Sequence, residues 1–330
     1  MVNMTGRMRH LRCSIPLLVL ALALPTWLRA QRYNFRYYSH ADGLGGMEAH
    51  SLLQDRTGFI WIGASSGLYR YDGLHFRDYT KADGLPDNWI ESMHETTSGV
   101  LLVGTQKGLA RMDGETFKPI PIPGTPEISS QHSLTSDRQG VLYVATSQGL
   151  FIGRPAGREY NFHSYPNPLR AGGAAAYGLF IDSSGALWFG CGTALCTLTK
   201  DGVSVFGSEA GVPPDRWDAI LADPEGDLWI RSPRQVRVRR SGSPRFVESL
   251  TTTVNSATAS SVSLHLDPQG RLIVPTEVGL LRGRGRGWER IAIPQGLPTN
   301  PTCCVLGDRE GSLWIGLAGA GLARWVGYNE

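Results

Sequence analysis

The chain has 330 residues, of which 41 are glycine, and carries a net charge of +3 at pH 7. Four of its arginines and none of its acidic residues lie in the first thirty positions, so the remainder has a net charge of −1. The basic balance therefore belongs to the amino-terminal segment and gives no reason to expect nucleic-acid binding. The remaining residues, about 300, are enough to bury most of their unfolded-state surface in one large domain or two small ones.

The amino-terminal segment has the pattern of a secretory signal peptide. Arg7, Arg9 and Arg12 precede the apolar run IPLLVLALAL at positions 15–24, which is too short to span a bilayer comfortably. Residues 28–30, LRA, then offer a cleavage site. We expect residues 1–30 to be a signal peptide; an uncleaved anchor is the alternative. No other segment is long and apolar enough to cross a membrane, so the mature chain is expected to lack a transmembrane segment and to be periplasmic or extracellular.

The stretch 55–73, DRTGFIWIGASSGLYRYDG, contains one structural unit. Asp55 and Gly58 suit the first and last positions of a four-residue turn, because the Asp side chain caps backbone N–H groups and Gly tolerates positive φ. The FIWI run, a second turn at Gly63 to Gly67, and the alternating LYRY run then predict a β-hairpin. One hairpin cannot bury its own faces, so this unit needs copies.

The unit recurs seven times, at intervals of 41 to 45 residues. Six copies keep an Asp three positions before the anchor glycine, and the second copy has Thr96 there. A period of this length with about four short strands is typical of a β-propeller blade. The sequence predicts an all-β, seven-bladed β-propeller with four-stranded blades over residues 31–330. Its anchor glycines are Gly58, Gly99, Gly140, Gly185, Gly226, Gly270 and Gly311.

The two ends of the repeat array complement each other. Residues 33–39, YNFRYYS, match HFRDYT (75–80) in type, and both precede a DGL motif, yet the first has no blade of its own. The last copy, GLARWVGYNE, stops after its third strand. We therefore expect the amino-terminal strand to complete the seventh blade, which closes the ring and removes an exposed sheet edge.

Four cysteines follow the leader. Cys191 and Cys196 flank the second turn of the fourth blade, so a hairpin disulfide is compatible with an oxidising compartment. Cys303 and Cys304 are adjacent in a strand and are expected to point to opposite faces. Nothing brings four thiolates together, so no metal site and no cofactor are predicted.

Candidate ligand-binding residues lie in the loops that enter each inner strand and in the second turns, which share one face of a propeller. Their mixture of aromatic and hydrogen-bonding groups suits a polar ligand, because flat side chains stack and amides and charges orient. The alternative is that these are solvated loop residues, with Trp89 and Trp217, which occupy equivalent repeat positions, packing at the rim. No catalytic residue is predicted. The candidates are His40, His50, Asn88, Trp89, Gln106, Lys107, His132, Tyr165, Arg170, Asp215, Arg216 and Trp217.

The repeats resemble those of the two-component regulator propeller family. The resemblance is carried by HSLLQDRTGFIWIGASSGLYRYDG (50–73) and ADGLPDNWIESMHETTSGVLLVGTQKGLARMDG (82–114), and it weakens in the fifth and sixth copies. It implies an extracytoplasmic sensor region of a membrane histidine kinase, hybrid kinase or diguanylate cyclase. Family members often carry a second propeller, so the chain resembles the first propeller of a longer receptor.

Three hypotheses for function follow. The first is a non-catalytic, ligand-sensing module that binds a small molecule such as an oligosaccharide and works with a second copy or with a second propeller of a parent receptor. The second is a propeller lyase or glycosidase, which requires converging acid–base groups; the loops offer only Asp87 and Asp215, on different blades. The third is a secreted protein-interaction platform without a small ligand. The first rests on fold and resemblance.

Overall fold

Each Asp-x-x-Gly unit of the sequence forms the turn between the first and second strands of a blade. The computed structural model describes residues 32–45, 48–166, 175–251, 262–285 and 287–329; the expected leader lies outside them. In all seven turns the anchor glycine donates its N–H to the carbonyl of the residue three positions earlier, as Gly58 does to Asp55 at 3.1 Å. All seven glycines have φ between +73° and +102°, the left-handed region that favours glycine.

The described strands form seven four-stranded antiparallel sheets, so the predicted seven-bladed propeller is confirmed. Blade one contains β2 (Ala49–Gln54), β3 (Ile60–Ala64), β4 (Leu68–Tyr71) and β5 (Phe76–Tyr79). Blade two contains β6 (Ile90–Glu95), β7 (Leu101–Thr105), β8 (Gly108–Asp113) and β9 (Thr116–Ile120). Blade three contains β10 (Leu134–Ser136), β11 (Leu142–Thr146), β12 (Gly149–Ala156) and β13 (Glu159–Ser164). Blade four contains β14 (Ala176–Ile181), β15 (Leu187–Cys191), β16 (Ala194–Thr199) and β17 (Gly202–Phe206).

The other three blades follow the same plan. Blade five contains β18 (Ala219–Ala222), β19 (Leu228–Arg231), β20 (Gln235–Arg239) and β21 (Val247–Thr251). Blade six contains β22 (His265–Leu266), β23 (Leu272–Thr276), β24 (Gly279–Arg284) and β25 (Gly287–Ile291). Blade seven contains β26 (Thr302–Gly307), β27 (Leu313–Leu317) and β28 (Gly321–Trp325), with β1 (Phe35–Tyr38) as its fourth strand.

The amino-terminal strand closes the ring as predicted. β1 pairs antiparallel with β28, with Phe35 opposite Trp325 and Tyr38 opposite Leu322. Tyr38 is buried and stacks on Trp314 at 5.5 Å between ring centroids. The last blade therefore has no exposed third-strand edge.

Short 3₁₀ turns connect the outer strand of one blade to the inner strand of the next. They span His40–Asp42, Lys81–Asp83, Ser208–Ala210 and Ile293–Gln295. Thr80 caps the second of them by accepting from Ala82 N, while Asp83 accepts from Thr80 N at 2.7 Å. Gly84 ends it with φ of +98°, and a Cβ there would lie 2.0 Å from the carbonyl oxygen of Phe117. The DGL motif thus marks a capped turn that packs against the next blade.

The hydrophobic core is divided into seven layers, one between each pair of neighbouring blades. The layer between blades seven and one, for example, contains Trp314 and Tyr38 from one blade and Ile62 and Tyr71 from the other. Six further layers repeat this arrangement around the ring. Each sheet buries both faces, which is why the second strands read as continuous apolar runs such as FIWI.

The capping acid also anchors the core. Asp55 Oδ1 accepts from the backbone N–H groups of Thr57 and Phe59, and its Oδ2 accepts from Trp61 Nε1 at 2.7 Å. Three more Asp–Trp pairs repeat this bond: Asp182–Trp188, Asp223–Trp229 and Asp308–Trp314. The acid therefore fixes the turn and the indole of the second strand at once.

A disulfide joins Cys191 to Cys196 across the β15–β16 hairpin, with a Cα–Cα distance of 5.8 Å. The expectation that Cys303 and Cys304 point to opposite faces is wrong. The pairing of β26 with β27 shifts register between Thr302 and Val305, and this bulge places the two sulfurs 3.6 Å apart. A bulge breaks the alternation of side chains along a strand, and no residue pattern in this strand predicts it.

Candidate functional site

The predicted loop residues lie at the end of the propeller where the inner strands begin. The first strands of neighbouring blades contact one another, as β2 does with β6 and β26, so they form the innermost ring. At their starts the strand pairing is irregular: the register shifts between Ala49 and Ser51 in blade one and between Ile90 and Ser92 in blade two. The extra residues at these two bulges are His50 and Glu91. Both side chains are buried.

A set of polar side chains surrounds this entry to the ring, and we call it the inner rim. Each member has a buried nitrogen or oxygen with no hydrogen-bond partner among the described residues. Most come from the start of an inner strand, and one comes from the end of a second strand. Such groups are rare in folded proteins because each loses its hydration without compensation. The inner rim consists of His50, Ser51, Glu91, Gln131, His132, Asp218, Arg231 and Ser263.

On blades one and two the inner rim combines a carboxylate, an imidazole and an indole. Glu91 Oε1 accepts from Trp89 Nε1 at 2.6 Å. Its Oε2 lies 3.7 Å from His50 Nδ1 and has no hydrogen-bond partner among the described residues. The rings of His50 and Trp89 meet edge to face at 4.7 Å. Trp89 is half-buried. Its indole ring and the Oε2 atom of Glu91, which has no hydrogen-bond partner among the described residues, therefore lie together at this part of the rim.

On blade five the rim is dominated by arginine. Arg216 Nε donates to Asp218 Oδ2 at 2.7 Å, and its guanidinium lies over the ring of Tyr177 at 5.3 Å. Arg231 is buried; its two terminal nitrogens donate to the carbonyls of Ser263 and Pro275 on blade six. Arg231 Nε has no partner among the described residues.

Burial shifts the pKa values of these groups. It raises the pKa of Asp218 to about 7, although Arg216 and Arg231 favour the charged form. It lowers the pKa of Arg231 to about 9, with Asp218 acting in the opposite direction. Burial, with a smaller effect from the positive charge of Arg231, lowers the pKa of His132 to about 4. The positive charge of Arg231 therefore contributes to the lowered pKa of a histidine two blades away.

Two ion pairs hold the surrounding loops. Asp87 accepts from Trp89 N at 3.0 Å and lies 2.9 Å from Lys107 Nζ. Burial raises the pKa of Asp87, but these hydrogen bonds outweigh it and hold the pKa below its usual value. Asp215 accepts from Arg234 Nε at 3.0 Å, and its pKa is likewise lowered despite burial. Neither carboxyl is suited to carry a proton near neutral pH.

The structure brings only some of the predicted site residues together. His50, Trp89 and His132 reach the inner rim region, and Arg216 contacts it through Asp218. Asp215 and Lys107 belong to the ion pairs of the loops. Arg170 lies outside the described residues.

The remaining candidates are not members of the inner rim. His40 is exposed on a 3₁₀ turn, and Asn88 Oδ1 accepts from Lys81 N at 2.9 Å to staple its loop. Gln106 is held by its backbone N–H, which donates to Trp89 O. Tyr165 packs against the layer between blades three and four. Trp217 is fully buried between blades four and five, so its ring packs in the core.

We considered only loop residues in the sequence and therefore missed Glu91, Asp218 and Arg231. Glu91 and Arg231 lie in strands, and Asp218 directly precedes one. A signal was nevertheless present. The position eight residues before each anchor glycine holds His50, Glu91, His132, Tyr177, Asp218, Val262 and Cys303. This position is mostly polar and varies among the copies, with His in two of the seven, whereas structural positions repeat. Arg231 stands where four other copies have a glycine packed against neighbouring strands, such as Gly63 beside Ser51 and Ile90.

Arginine-rich runs occur at positions 231–240 in blade five and 282–290 in blade six, and their described members do not form an uncompensated basic surface. Arg240 pairs with Asp227, and Arg282 pairs with Glu289 at 2.6 Å. Arg284 reaches Asp223 at 2.7 Å and Glu225 at 3.0 Å. Most of this positive charge is therefore neutralised within the propeller.

The described residues contain no group of three or more His, Cys, Asp or Glu side chains arranged to hold a metal ion. Within the same residues, no helix has the length and apolar character needed to span a membrane.

No family model and no curated protein match this sequence. Solved structures do match. The extracellular domain of the one-component system BT4673 from B. thetaiotaomicron is 20% identical with a TM-score of 0.73, covering 90% of this chain and 40% of that one. The extracellular domain of the hybrid two-component system BT3049 from B. thetaiotaomicron is 18% identical with a TM-score of 0.73, covering 89% and 42%.

A second group of matches has the length of a single propeller. Virginiamycin B lyase from Staphylococcus aureus is 13% identical with a TM-score of 0.67, covering 89% of this chain and 99% of the lyase. At these identities the likeness establishes the fold. This chain spans about two fifths of the two B. thetaiotaomicron domains, and it has their seven-bladed propeller fold, which fits the two-component regulator propeller family that its repeats resemble.

Proposed function

We propose that this chain is a periplasmic, ligand-sensing β-propeller module of a two-component-type signalling receptor, non-catalytic in itself. The parent protein would be a sensor kinase or diguanylate cyclase of which this chain forms one propeller. Support for the receptor context comes from the similarity to extracellular domains of one- and two-component systems. This chain covers only 40% and 42% of those domains, so the proposed parent protein is longer than this propeller. The family that the repeats resemble often carries a second propeller, which we propose as the neighbouring part.

The proposed ligand-binding site is the inner rim. His50 and Glu91 are almost completely buried and still have polar atoms without partners among the described residues. Of the twelve described residues with such an atom, eight belong to the inner rim. The capping acids of the turns, by contrast, are hydrogen-bonded to the backbone and, in four blades, to an indole. Unpaired polar groups concentrated at one end of such a fold favour a site that is completed by a bound polar molecule.

A propeller lyase is the second candidate, favoured by the full-length match to virginiamycin B lyase. Lyase chemistry needs a group that exchanges protons near neutral pH. Asp87 and Asp215 are held ionised by their partners, whereas burial raises the pKa of Asp218 to about 7. Asp218 is therefore the residue on which an enzymatic alternative would depend.

The test is a thermal-shift screen of the purified protein against oligosaccharides, amino acids and small anions. A ligand that binds only the folded state at one hundred times its Kd stabilises that state by about 2.7 kcal/mol, which raises Tm measurably. The screen is repeated on Trp89→Ala and on Arg245→Gln, an exposed change on blade five. A concentration-dependent shift that Trp89→Ala loses and Arg245→Gln keeps supports the proposal.

Two results would count against it. A well-folded protein that shows no shift across the panel would favour an interaction platform. Conversion of a bound compound, detected by mass spectrometry and abolished in Asp218→Asn, would favour the lyase. Binding without conversion leaves the sensing module as the function.

A further inference from the structure

The inner rim carries two buried charged side chains that no Lys, Arg, Asp or Glu of the described residues neutralises. The ion-pair partner of Glu91 is His50, at 3.7 Å, and it carries a charge only when protonated. Glu91 on blade two is 2% exposed, and Arg231 on blade five is 1% exposed. Neither lies within ion-pair distance of an oppositely charged Lys, Arg, Asp or Glu side chain in the described part of the chain. In a seven-bladed ring these two blades lie on opposite sides. Burying a charge without a counter-charge is costly, so both positions are unusual for a core.

The Glu91 side has the composition of a site for a positively charged group. One carboxylate oxygen is already held by Trp89 Nε1, which fixes the orientation of the group. The other oxygen faces His50 at 3.7 Å and remains without a hydrogen bond among the described residues. The half-buried Trp89 ring stands beside it, and an aromatic ring next to a carboxylate favours an ammonium group.

The Arg231 side has the composition of a site for an anion. Its terminal nitrogens are held by the neutral carbonyls of Ser263 and Pro275, which orient the guanidinium without cancelling its charge. The carboxylate that acts on it electrostatically is Asp218, which is itself hydrogen-bonded to Arg216 at 2.7 Å. Arg231 Nε and Ser263 Oγ keep free hydrogen-bonding capacity among the described residues. Two arginines and one carboxylate leave this side positive.

We infer that the inner rim binds a dipolar ligand, with an ammonium group at Glu91 and Trp89 and a carboxylate or similar anion at Arg231. This inference rests on the proposed ligand-sensing function and specifies its ligand class. A dipolar molecule supplies the missing counter-charge at both ends, so it relieves the unpaired burial of each group. A neutral oligosaccharide offers hydrogen bonds but no charge to either side.

The test uses the purified protein and a homologous set of probes, measured by isothermal titration calorimetry and thermal shift. The probes are ω-amino acids of increasing length from glycine to ε-aminohexanoate, with butylamine and butyrate as single-charge controls and maltotriose as a neutral control. We expect one chain length to bind best and each single-charge analogue to bind at least tenfold more weakly. Raising the salt concentration should weaken binding only modestly, because the charges are buried.

Matched variants test which residue binds each end of the ligand. Glu91→Gln keeps the size of the side chain and should weaken the amino acid at least tenfold while leaving butyrate unaffected. Glu115→Gln is the same change on an exposed residue of blade two and should have no effect. Arg231→Lys keeps the charge and removes the guanidinium donors, so it should weaken binding less than Arg231→Gln. Circular dichroism checks that each variant is folded; if the Arg231 variants unfold, the probe series alone decides the anionic end.

The outcomes separate this inference from the function on which it rests. Tight binding of butylamine alone, or no loss in Glu91→Gln, overturns the dipolar ligand. A shift with maltotriose and none with the amino acids overturns it as well, but leaves the sensing module standing. No shift with any probe overturns it, and the wider screen then decides the proposed function.

Discussion

Truncating Tyr38 should destabilise the propeller far more than truncating its neighbour Tyr37, because only Tyr38 of the two packs in the core layer between blades seven and one. Tyr38 is 1% exposed; it stacks on Trp314 and meets Tyr71 and Phe76 at 5.3 and 5.7 Å between ring centroids. Tyr37 is 41% exposed, and its hydroxyl donates to Ala320 O. The two residues lie on opposite faces of β1.

The expected magnitudes follow from these surroundings. Removing a buried aromatic ring costs about 3–5 kcal/mol, the sum of lost transfer free energy and the cavity that remains. Tyr38→Phe removes only the hydroxyl, which lies 3.3 Å from that of Tyr71, and should cost about 1 kcal/mol. Tyr37→Ala loses a partly exposed ring and one hydrogen bond, so about 1 kcal/mol is expected as well.

Urea unfolding followed by tryptophan fluorescence measures these differences in the free energy of unfolding. Equal losses for Tyr37→Ala and Tyr38→Ala would refute the closure described above. A one-residue slip of β1 along β28 would place Tyr37 inside and Tyr38 outside, so the opposite order would reveal that register instead.

Three further predictions concern the turns, the disulfide and one titrating group. Asp308→Ala removes the acceptor of Ser312 N and of Trp314 Nε1 and should lower the free energy of unfolding by about 2–4 kcal/mol. Replacing both Cys191 and Cys196 by serine opens a short loop and should cost about 2 kcal/mol in urea unfolding. Because burial raises the pKa of Asp218 to about 7, the native state holds a proton that the unfolded chain releases near pH 4. Its destabilising effect is therefore absent below pH 4 and grows as the pH rises to 7, and Asp218→Asn should gain stability relative to the parent over that window.

Each of these has a control and a result that would contradict it. Asp78→Ala, at an exposed position of β5, should change stability by less than about 0.5 kcal/mol; a similar loss in both variants would remove the special role of the capping acid. For the disulfide, the parent protein treated with reductant should match the serine variant. A difference between Asp218→Asn and parent that does not vary with pH would show that this carboxyl is not buried as described.

The repeat pattern was enough to predict the fold because its determinants are local. The turn at Asp55 and Gly58 depends only on residues within it, since the carboxylate caps neighbouring N–H groups and glycine accepts positive φ. The spare strand at Phe35–Tyr38 and the incomplete last copy could be matched by counting. Four of the Asp residues also bind an indole six positions later, a bond that spacing alone did not reveal.

The candidate site could be predicted only in part, because its members depend on the closure of the ring. The polar and aromatic residues of the loops predicted His50 and Trp89 as site residues. Glu91 and Asp218 lie in or at the start of strands, where the alternation of side chains between the two sheet faces predicts a different orientation. For Glu91 the reason is a bulge at the start of β6, just as the bulge in β26 brings Cys303 beside Cys304.

By itself, the sequence determined the number of blades, the turns within each blade and the strand that closes them, because these follow from period, turn chemistry and count. Only the tertiary structure decided which polar groups meet at the inner rim and which charges remain unpaired there. Arg231 and His132 are separated by 99 positions, yet the positive charge of Arg231 acts on that histidine. No local pattern encodes such a juxtaposition, since it exists only after seven blades have packed around one axis.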